Sequence, residues 1–209
     1  MSRGLGDVYK RQLLETMRCD SGDCSKILQY YCDPSTVSSS VDKYIDAIAI
    51  FLVNKYTNLV QSNSPRLFGS QAIANQLNDL ILCLSHRNNW LQDAAFRCCD
   101  IFIRSIPSAL CHHRSLFTLL DLMTTLFDSV IDCETNKFEP HYQFVLKHSN
   151  IKVLFPDSAT WRKTTLNRIH TSAKGWVKII LNKANDDTKI LLQSYISDLT
   201  QFSRLNDVE

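Results

Sequence analysis

Residues 158–184 read SATWRKTTLNRIHTSAKGWVKIILNKA, and this stretch decides the fold class of the chain. Its apolar residues return every three or four positions, which is the spacing of one face of an α-helix. Pro156-Asp157-Ser158 comes just before it and supplies a helix start, with Asp157 or Ser158 as the N-cap. The stretch therefore predicts one long helix, whose apolar stripe consists of Leu166, Ile169, Ala173, Trp176, Val177, Ile180 and Ala184.

The same spacing recurs along most of the chain, with short polar breaks between the periodic segments, as at Ser38–Ser40 and Ser62–Pro65. Further helices are predicted over Val41–Leu59, Ser70–Ser85, Leu116–Ile131 and Ile190–Phe202, and from Trp90 to a stop at Pro107, with stripes that include Trp90, Phe127, Ile190 and Ile196. A helix is also predicted over Leu13–Tyr31, with limits that Gly22 and the cysteine spacing leave open. The Val41–Leu59 helix is apolar nearly all round, so it is expected to be buried between neighbours. Asp186-Asp187 is expected to separate the last two helices. Helix, short loop and helix in succession predict an all-α antiparallel array resembling an α-solenoid.

One segment, near residues 138–156, departs from the helical spacing. Tyr142, Phe144 and Leu146 alternate with other residues, and so do Ile151, Val153 and Phe155 after the polar residues 147–150. Alternation of period two on both sides of a polar turn predicts a short hairpin. Because an isolated hairpin is marginally stable in water, this one is expected to lean on the helices.

Composition restricts the functional classes. The chain has 209 residues, of which 44% are hydrophobic and 21% charged, and a net charge of +2, so no overall attraction to nucleic acid is predicted. The longest apolar run, Ala47–Val53, is far shorter than the roughly 20 residues of a membrane helix. With no secretory signal found, the eight cysteines are interpreted as reduced, buried small hydrophobes of a cytoplasmic protein.

The first twelve residues stand apart from the rest. Residues 1–12 resemble a non-native leader derived from a sequencing adapter, and they are set aside from the fold argument. Residues 13–209 are then interpreted as a helical-repeat scaffold segment from a larger protein.

Motifs that carry chemistry are absent from the sequence. It contains no Asp-Phe-Gly, no glycine-rich phosphate loop in a credible setting, and no Gly-x-Ser-x-Gly turn. Cys19, Cys24 and Cys32 lack the paired spacing of a zinc site, and Cys111-His112-His113 is interpreted as part of an exposed loop. No catalytic residue, cofactor-binding residue or metal ligand is therefore predicted.

The segment 158–183 carries six basic residues and no acidic one. On a helical wheel Lys163, His170, Lys174 and Lys178 share one face beside the apolar stripe. This pattern fits a solvated helix face, and it also fits contact with an anionic membrane leaflet or an acidic partner. Gly175, in mid-helix, is interpreted as permitting close helix packing beside Trp176.

Several of these segments together resemble a known family. Leu119-Leu120-Asp121-Leu122, Phe138-Glu139-Pro140, Leu154–Ser158, the helix through Trp176, and Leu192-Gln193-Ser194-Tyr195 are similar in order and spacing to the amino-terminal helical region of the type III alpha phosphatidylinositol 4-kinases. The chain departs from the family pattern at the inserted Phe155 and at Ala184-Asn185, where the family suggests Ala-Pro.

The resemblance implies a parent enzyme that phosphorylates phosphatidylinositol at the 4-position with ATP and magnesium. It also implies a cytoplasmic protein that dimerises and is recruited peripherally to the plasma membrane by a tetratricopeptide-repeat scaffold, hyccin and a palmitoylated anchor. Periodicity alone supports a different reading, namely an independent HEAT-type adaptor or transport protein. An enzyme acting through its own Cys and His residues is a more distant alternative.

Overall fold

A computed structural model describes residues 3–33, 42–62, 68–136 and 138–206 of the chain. The α-helices are α1 (Arg3–Asp20), α2 (Asp42–Gln61), α3 (Ser70–Leu82), α4 (Asn89–Ser105), α5 (His113–Thr135), α6 (Ala159–Lys183) and α7 (Asn185–Asn206). Short 3-10 helices lie at Lys26–Cys32, Cys83–Ser85 and Pro107–Ala109, and a hairpin of β1 (Gln143–Val145) and β2 (Lys152–Leu154) connects α5 to α6. The all-α array with one short extended excursion is confirmed.

Side-chain caps fix where α4 and α6 begin. The Asn88 side chain accepts hydrogen bonds from the N–H groups of Trp90 and Leu91 at the start of α4, and its amide donates to the carbonyl of Tyr31. Ser158, one of the two predicted N-cap residues, accepts from the N–H of Trp161 and caps α6. Each cap satisfies main-chain donors that have no partner inside the helix.

The helices pack both against chain neighbours and against helices two positions further along the chain. α2 packs against α1 and α4, α3 against α4 and α5, and α6 against α4, α5 and α7. One continuous apolar core runs through these contacts, and its largest buried members include Tyr56, Leu77, Phe102 and Phe117. The array therefore buries one stripe of each helix against its neighbours.

The segment Leu13–Tyr31 does not form a single helix. α1 ends at Asp20, and Gly22 follows with φ 102°, a left-handed backbone conformation that favours glycine. The chain then enters the 3-10 helix Lys26–Cys32. Near the other end, Asp186 and Asp187 lie in the first turn of α7 and do not separate it from α6, because only Ala184 stands between the two helices.

Some predicted apolar positions face solvent. Tyr44 and Phe51 of α2 are exposed, because α1 and α4 cover only the face that carries Leu52 and Tyr56, so the expectation that this helix is buried all round is wrong. The stripe residues Trp90, Phe127, Ile190 and Ile196 are exposed as well. Val41, the polar break around Ser38–Ser40, most of Ser62–Pro65 and the side chain of Phe202 lie outside the described residues.

All eight cysteines are free thiols. Cys19, Cys24, Cys98 and Cys99 are buried, as expected of small hydrophobes. Cys83, Cys111 and Cys133 are half-buried, and Cys32 is exposed, so the prediction of burial is wrong for Cys32, which is the last residue of the 3-10 helix Lys26–Cys32.

The hairpin is confirmed with its predicted turn. β1 and β2 are antiparallel, with Phe144 opposite Val153 and Val145 opposite Lys152. Its inner face carries Phe144, Leu146, Val153 and Phe155 against the helical core, with the rings of Phe144 and Phe155 stacked at 5.3 Å. The helices thus supply the support that a two-stranded hairpin lacks by itself.

A buried polar network and the candidate contact face

Arg162 has no exposed surface and acts inside the protein. Its guanidinium donates to three main-chain carbonyls: Nε to Pro156 at 3.0 Å, Nη1 to Ser129 at 2.7 Å and Nη2 to His141 at 2.6 Å. The guanidinium carbon also lies 5.5 Å from the ring centre of Phe144. The planar fork of arginine suits several acceptors at once, so one side chain joins α5, the hairpin and the start of α6.

Sequence reasoning grouped Arg162 with the other basic residues of this helix and missed its structural role. A signal existed. Arg162 stands seven residues before Ile169 and fourteen before Trp176, which places it in the buried apolar stripe and away from the basic face.

Two aspartates of α5 hold the hairpin segment, and each accepts two hydrogen bonds from one histidine. Asp132 accepts from the main-chain N–H of His141 at 2.7 Å and from its imidazole Nδ1 at 2.9 Å. Asp121 accepts from the N–H of His148 at 2.8 Å and from its Nδ1 at 2.7 Å. We call these two contacts the Asp–His clamps. The imidazole of His141 holds the pKa of Asp132 below its usual range, because its hydrogen bond stabilises the carboxylate.

The Asp121 clamp also reaches the last helix. The hydroxyl of Tyr195 donates to Asp121 at 3.1 Å, and Nε2 of His148 lies 3.6 Å from a carboxylate oxygen of Asp198. Burial raises the pKa of Tyr195 far above its usual range, so the phenol stays protonated and serves as a donor. Phe117 lies edge-on to the rings of both His148 and Tyr195. Asp121 and Tyr195 come from two segments on which the family resemblance rests, and the structure brings them into contact.

A third set of polar contacts joins α4 to α6. Trp176 is only 2% exposed, as its central place in the stripe predicts, and its indole N–H donates to Asp100 at 3.2 Å. Arg168 lies over the ring of Phe96 at 4.0 Å and pairs with Asp93 at 2.5 Å. These contacts fix the long helix against α4 and engage a second of its six basic residues.

The predicted contact face is exposed. Lys163, His170, Lys174 and Lys178 all lie on the outer side of α6. Lys163 pairs with Glu134 at 2.5 Å, whereas no ion pair to another described residue is recorded for Lys174 or Lys178. His170 lines an apolar groove of about 310 Å³ between α5 and α6, next to the exposed ring of Phe127. Contact of this face with a membrane or an acidic partner stays a prediction.

Gly175 does not serve the packing role expected of it. A Cβ built on Gly175 meets no atom within 4 Å, so no neighbour approaches this point of the helix closely. The interpretation as a close-packing position is wrong. His112 and His113 also differ from expectation, because His112 caps α5 and His113 is its first residue.

Two further properties of the described residues bear on function. Within residues 3–33, 42–62, 68–136 and 138–206, no three side chains of His, Cys, Asp or Glu come together in a way that could hold a metal ion. Among the same residues, no helix combines the length and the apolar character needed to cross a bilayer.

Comparison with known proteins links the chain to lipid kinases. No family model matches it. Phosphatidylinositol 4-kinase STT4 of Saccharomyces cerevisiae is 60% identical over 197 residues, which is 94% of this chain and 10% of that protein. Phosphatidylinositol 4-kinase stt4 of Schizosaccharomyces pombe is 25% identical over 197 residues, again 10% of its length. The chain spans about a tenth of the length of these two relatives. The resemblance to the type III alpha phosphatidylinositol 4-kinases is thereby confirmed.

Proposed function

We propose that this chain is a non-catalytic helical scaffold segment of a phosphatidylinositol 4-kinase. The observation that carries the proposal is the 60% identity to a kinase of which the chain spans only 10%. The sequence lacks the glycine-rich loop and the Asp-Phe-Gly that a kinase needs for nucleotide and metal, which agrees with a supporting role. The whole protein would use ATP and magnesium to phosphorylate phosphatidylinositol at the 4-position, in phosphoinositide signalling.

The scaffold role has support in the surfaces of the array. Tyr44 and Phe51 on α2, and Ile190 and Ile196 on α7, are large apolar side chains left exposed on the second and the last α-helix of the described residues. Faces of this kind suit contact with further helices or with other proteins. Proposed contacts are dimerisation and binding of a tetratricopeptide-repeat scaffold, hyccin and a palmitoylated anchor, at the cytoplasmic side of the plasma membrane.

The reading frame on either side of this segment tests the proposal. A catalytic kinase domain encoded downstream of Glu209 in the same transcript supports it. A stop codon soon after Glu209 overturns it in favour of an independent HEAT-type adaptor. The purified chain, incubated with ATP, magnesium and phosphatidylinositol, should transfer no phosphate, because the groups that bind nucleotide and metal are missing. Transfer that survives removal of contaminating kinases contradicts the scaffold role.

A second proposal concerns the basic face of α6, which would touch an anionic leaflet. Lys174 and Lys178 support it, because they are exposed and no acidic residue occurs between Ser158 and Lys183. Each cation near such a surface contributes about 1 kcal/mol, and salt screens the attraction. The chain should therefore sediment with phosphatidylserine vesicles at low salt and be released as salt is added.

Charge reversal at matched positions tests the membrane contact. Lys174→Glu with Lys178→Glu should abolish sedimentation and leave the circular dichroism spectrum unchanged. Lys147→Glu with Lys189→Glu changes the net charge equally at two exposed lysines outside this face, and should retain sedimentation. Equal sedimentation of the wild type and the α6 variant means that the face is only solvated.

A further inference from the structure

The free edge of β2 borders a groove of about 630 Å³. Six consecutive residues, Ile151–Pro156, line one side of it, and Leu82, Ser85, His86 and Arg87 at the end of α3 form the other side. Successive strand residues point to opposite faces of a sheet. Since residues of both faces line the same groove, the groove runs along the edge of the strand and not over either face.

The register of the hairpin shows which main-chain groups face this groove. Leu146 donates to the carbonyl of Ile151, and Phe155 donates to that of Tyr142, so residues 151, 153 and 155 direct their main-chain groups towards β1. The N–H and C=O groups of Lys152 and Leu154 therefore point away from β1. No hydrogen bond from a described residue to these four groups is recorded.

Side chains around the groove add apolar surface and positive charge. Leu154 is 62% and Tyr142 66% exposed, although both are large and apolar in most of their surface. Arg87 and Lys152 are exposed cations on its two sides, and no residue that lines it is acidic. Neither cation is recorded in an ion pair with a described residue.

We propose that this groove binds an extended, acidic segment of a protein partner, which adds to β2 as a third strand. The main-chain groups of Lys152 and Leu154 supply the hydrogen bonds of strand addition, and Leu154 and Tyr142 supply the apolar contact. Arg87 and Lys152 pair with carboxylates of the segment. The positive charge of the groove argues against a second copy of this chain as the partner. Two identical edges would place Arg87 and Lys152 beside the same cations of the other copy, with no acidic residue to pair with them.

A library of random nine-residue peptides displayed on phage, selected on the purified chain, tests the proposal. We expect the selection to enrich sequences in which every second residue is apolar and which also contain Asp or Glu. A synthetic peptide with the enriched sequence should slow hydrogen exchange at the amides of Lys152 and Leu154. A peptide that binds through side chains alone would leave the exchange rate of these two amides unchanged.

Proline variants on the two edges separate strand addition from loss of the hairpin. Leu154→Pro removes an outward N–H from β2 and should weaken peptide binding by about tenfold or more. Gln143→Pro, directly opposite on β1, removes an outward N–H from the other edge and should leave binding unchanged. Arg87 lies outside the hairpin, so Arg87→Glu tests the groove without disturbing the strands. This variant should weaken the binding of acidic peptides, and it remains informative if both proline variants lose the hairpin.

Three results overturn the proposal. The first is a selection that enriches no sequence. The second is binding that neither Leu154→Pro nor Arg87→Glu reduces. The third is a dimer of the chain without peptide in which the Lys152 and Leu154 amides are already protected, since a second copy would then occupy the edge.

Discussion

Replacing Arg162 with alanine should destabilise the fold more than any other change at a basic residue of α6. The substitution removes three hydrogen bonds from a charged donor and leaves the carbonyls of Ser129, His141 and Pro156 without it. Each buried carbonyl that is left without its donor costs about 1–3 kcal/mol. The three bonds cannot simply be summed, because hydrogen bonds to a charged group are worth about 1.5–3 kcal/mol each and their losses overlap.

The expected loss of about 4 kcal/mol is measurable in two ways. For a domain of this size, 1 kcal/mol corresponds to about 2–4 °C, so the melting temperature should fall by roughly 8–16 °C. Urea unfolding followed by circular dichroism should give the same loss from the shift of the midpoint at a common slope. Lys163→Ala is the matched control on the next residue. Its ion pair with Glu134 is exposed on both sides, so the variant should lose no more than about 1 kcal/mol.

A second variant separates charge from geometry. Arg162→Lys keeps the positive charge but loses the planar fork that reaches three carbonyls, so it should recover only part of the stability. Full recovery with lysine means that charge, and not the three-way contact, stabilises this junction. If Arg162→Ala and Lys163→Ala unfold at the same urea concentration, the reasoning about Arg162 is refuted.

Three more predictions concern stability. Trp176→Ala should cost about 3–5 kcal/mol, seen as a lower melting temperature, since the indole is buried and bonded to Asp100; an unchanged melting temperature would contradict this. Gly175→Ala should raise stability by about 1 kcal/mol in urea unfolding, because the helix gains a better former and the Cβ meets no neighbour; destabilisation would show a close contact there. The lowered pKa of Asp132 contributes stability that is present above the unfolded value of 3.8 and is lost as pH falls through the folded value. Asp132→Asn should therefore flatten the acid limb of stability against pH, and a limb as steep as that of the wild type would argue against the role of this carboxylate.

Periodicity identified most of the helices and the hairpin, because both depend on local pattern. The stripe through Ile169 and Trp176 identified α6, and the alternation around Phe144 and Val153 identified the two strands, whose register only the structure shows. The sequence narrowed the N-cap of α6 to Asp157 or Ser158, and the structure shows that it is Ser158. These features can be predicted without knowing which residues, distant in sequence, pack against them.

The roles of Arg162, Phe127 and Gly175 could not be obtained in the same way. A helical wheel places Arg162 in the buried stripe, but only the fold shows that three carbonyls from separate segments meet there. Phe127 stands in the stripe of α5, yet it is exposed because no described element covers that part of the groove. Whether an apolar side chain is covered depends on contacts distant in sequence, and periodicity holds no information about them.

The Asp–His clamps restrict insertions and deletions in the hairpin segment between His141 and His148. Asp121 and Asp132 are eleven residues apart on α5, a span of roughly 16–17 Å at 1.5 Å per residue. His141 and His148, seven residues apart, bridge that span with β1 between them. Inserting or deleting one residue between the histidines would either release a clamp or reverse the alternation of β1 and turn Phe144 to solvent. Homologous sequences are therefore expected to vary in which residues β1 shows to solvent, and not in how many residues separate the two histidines.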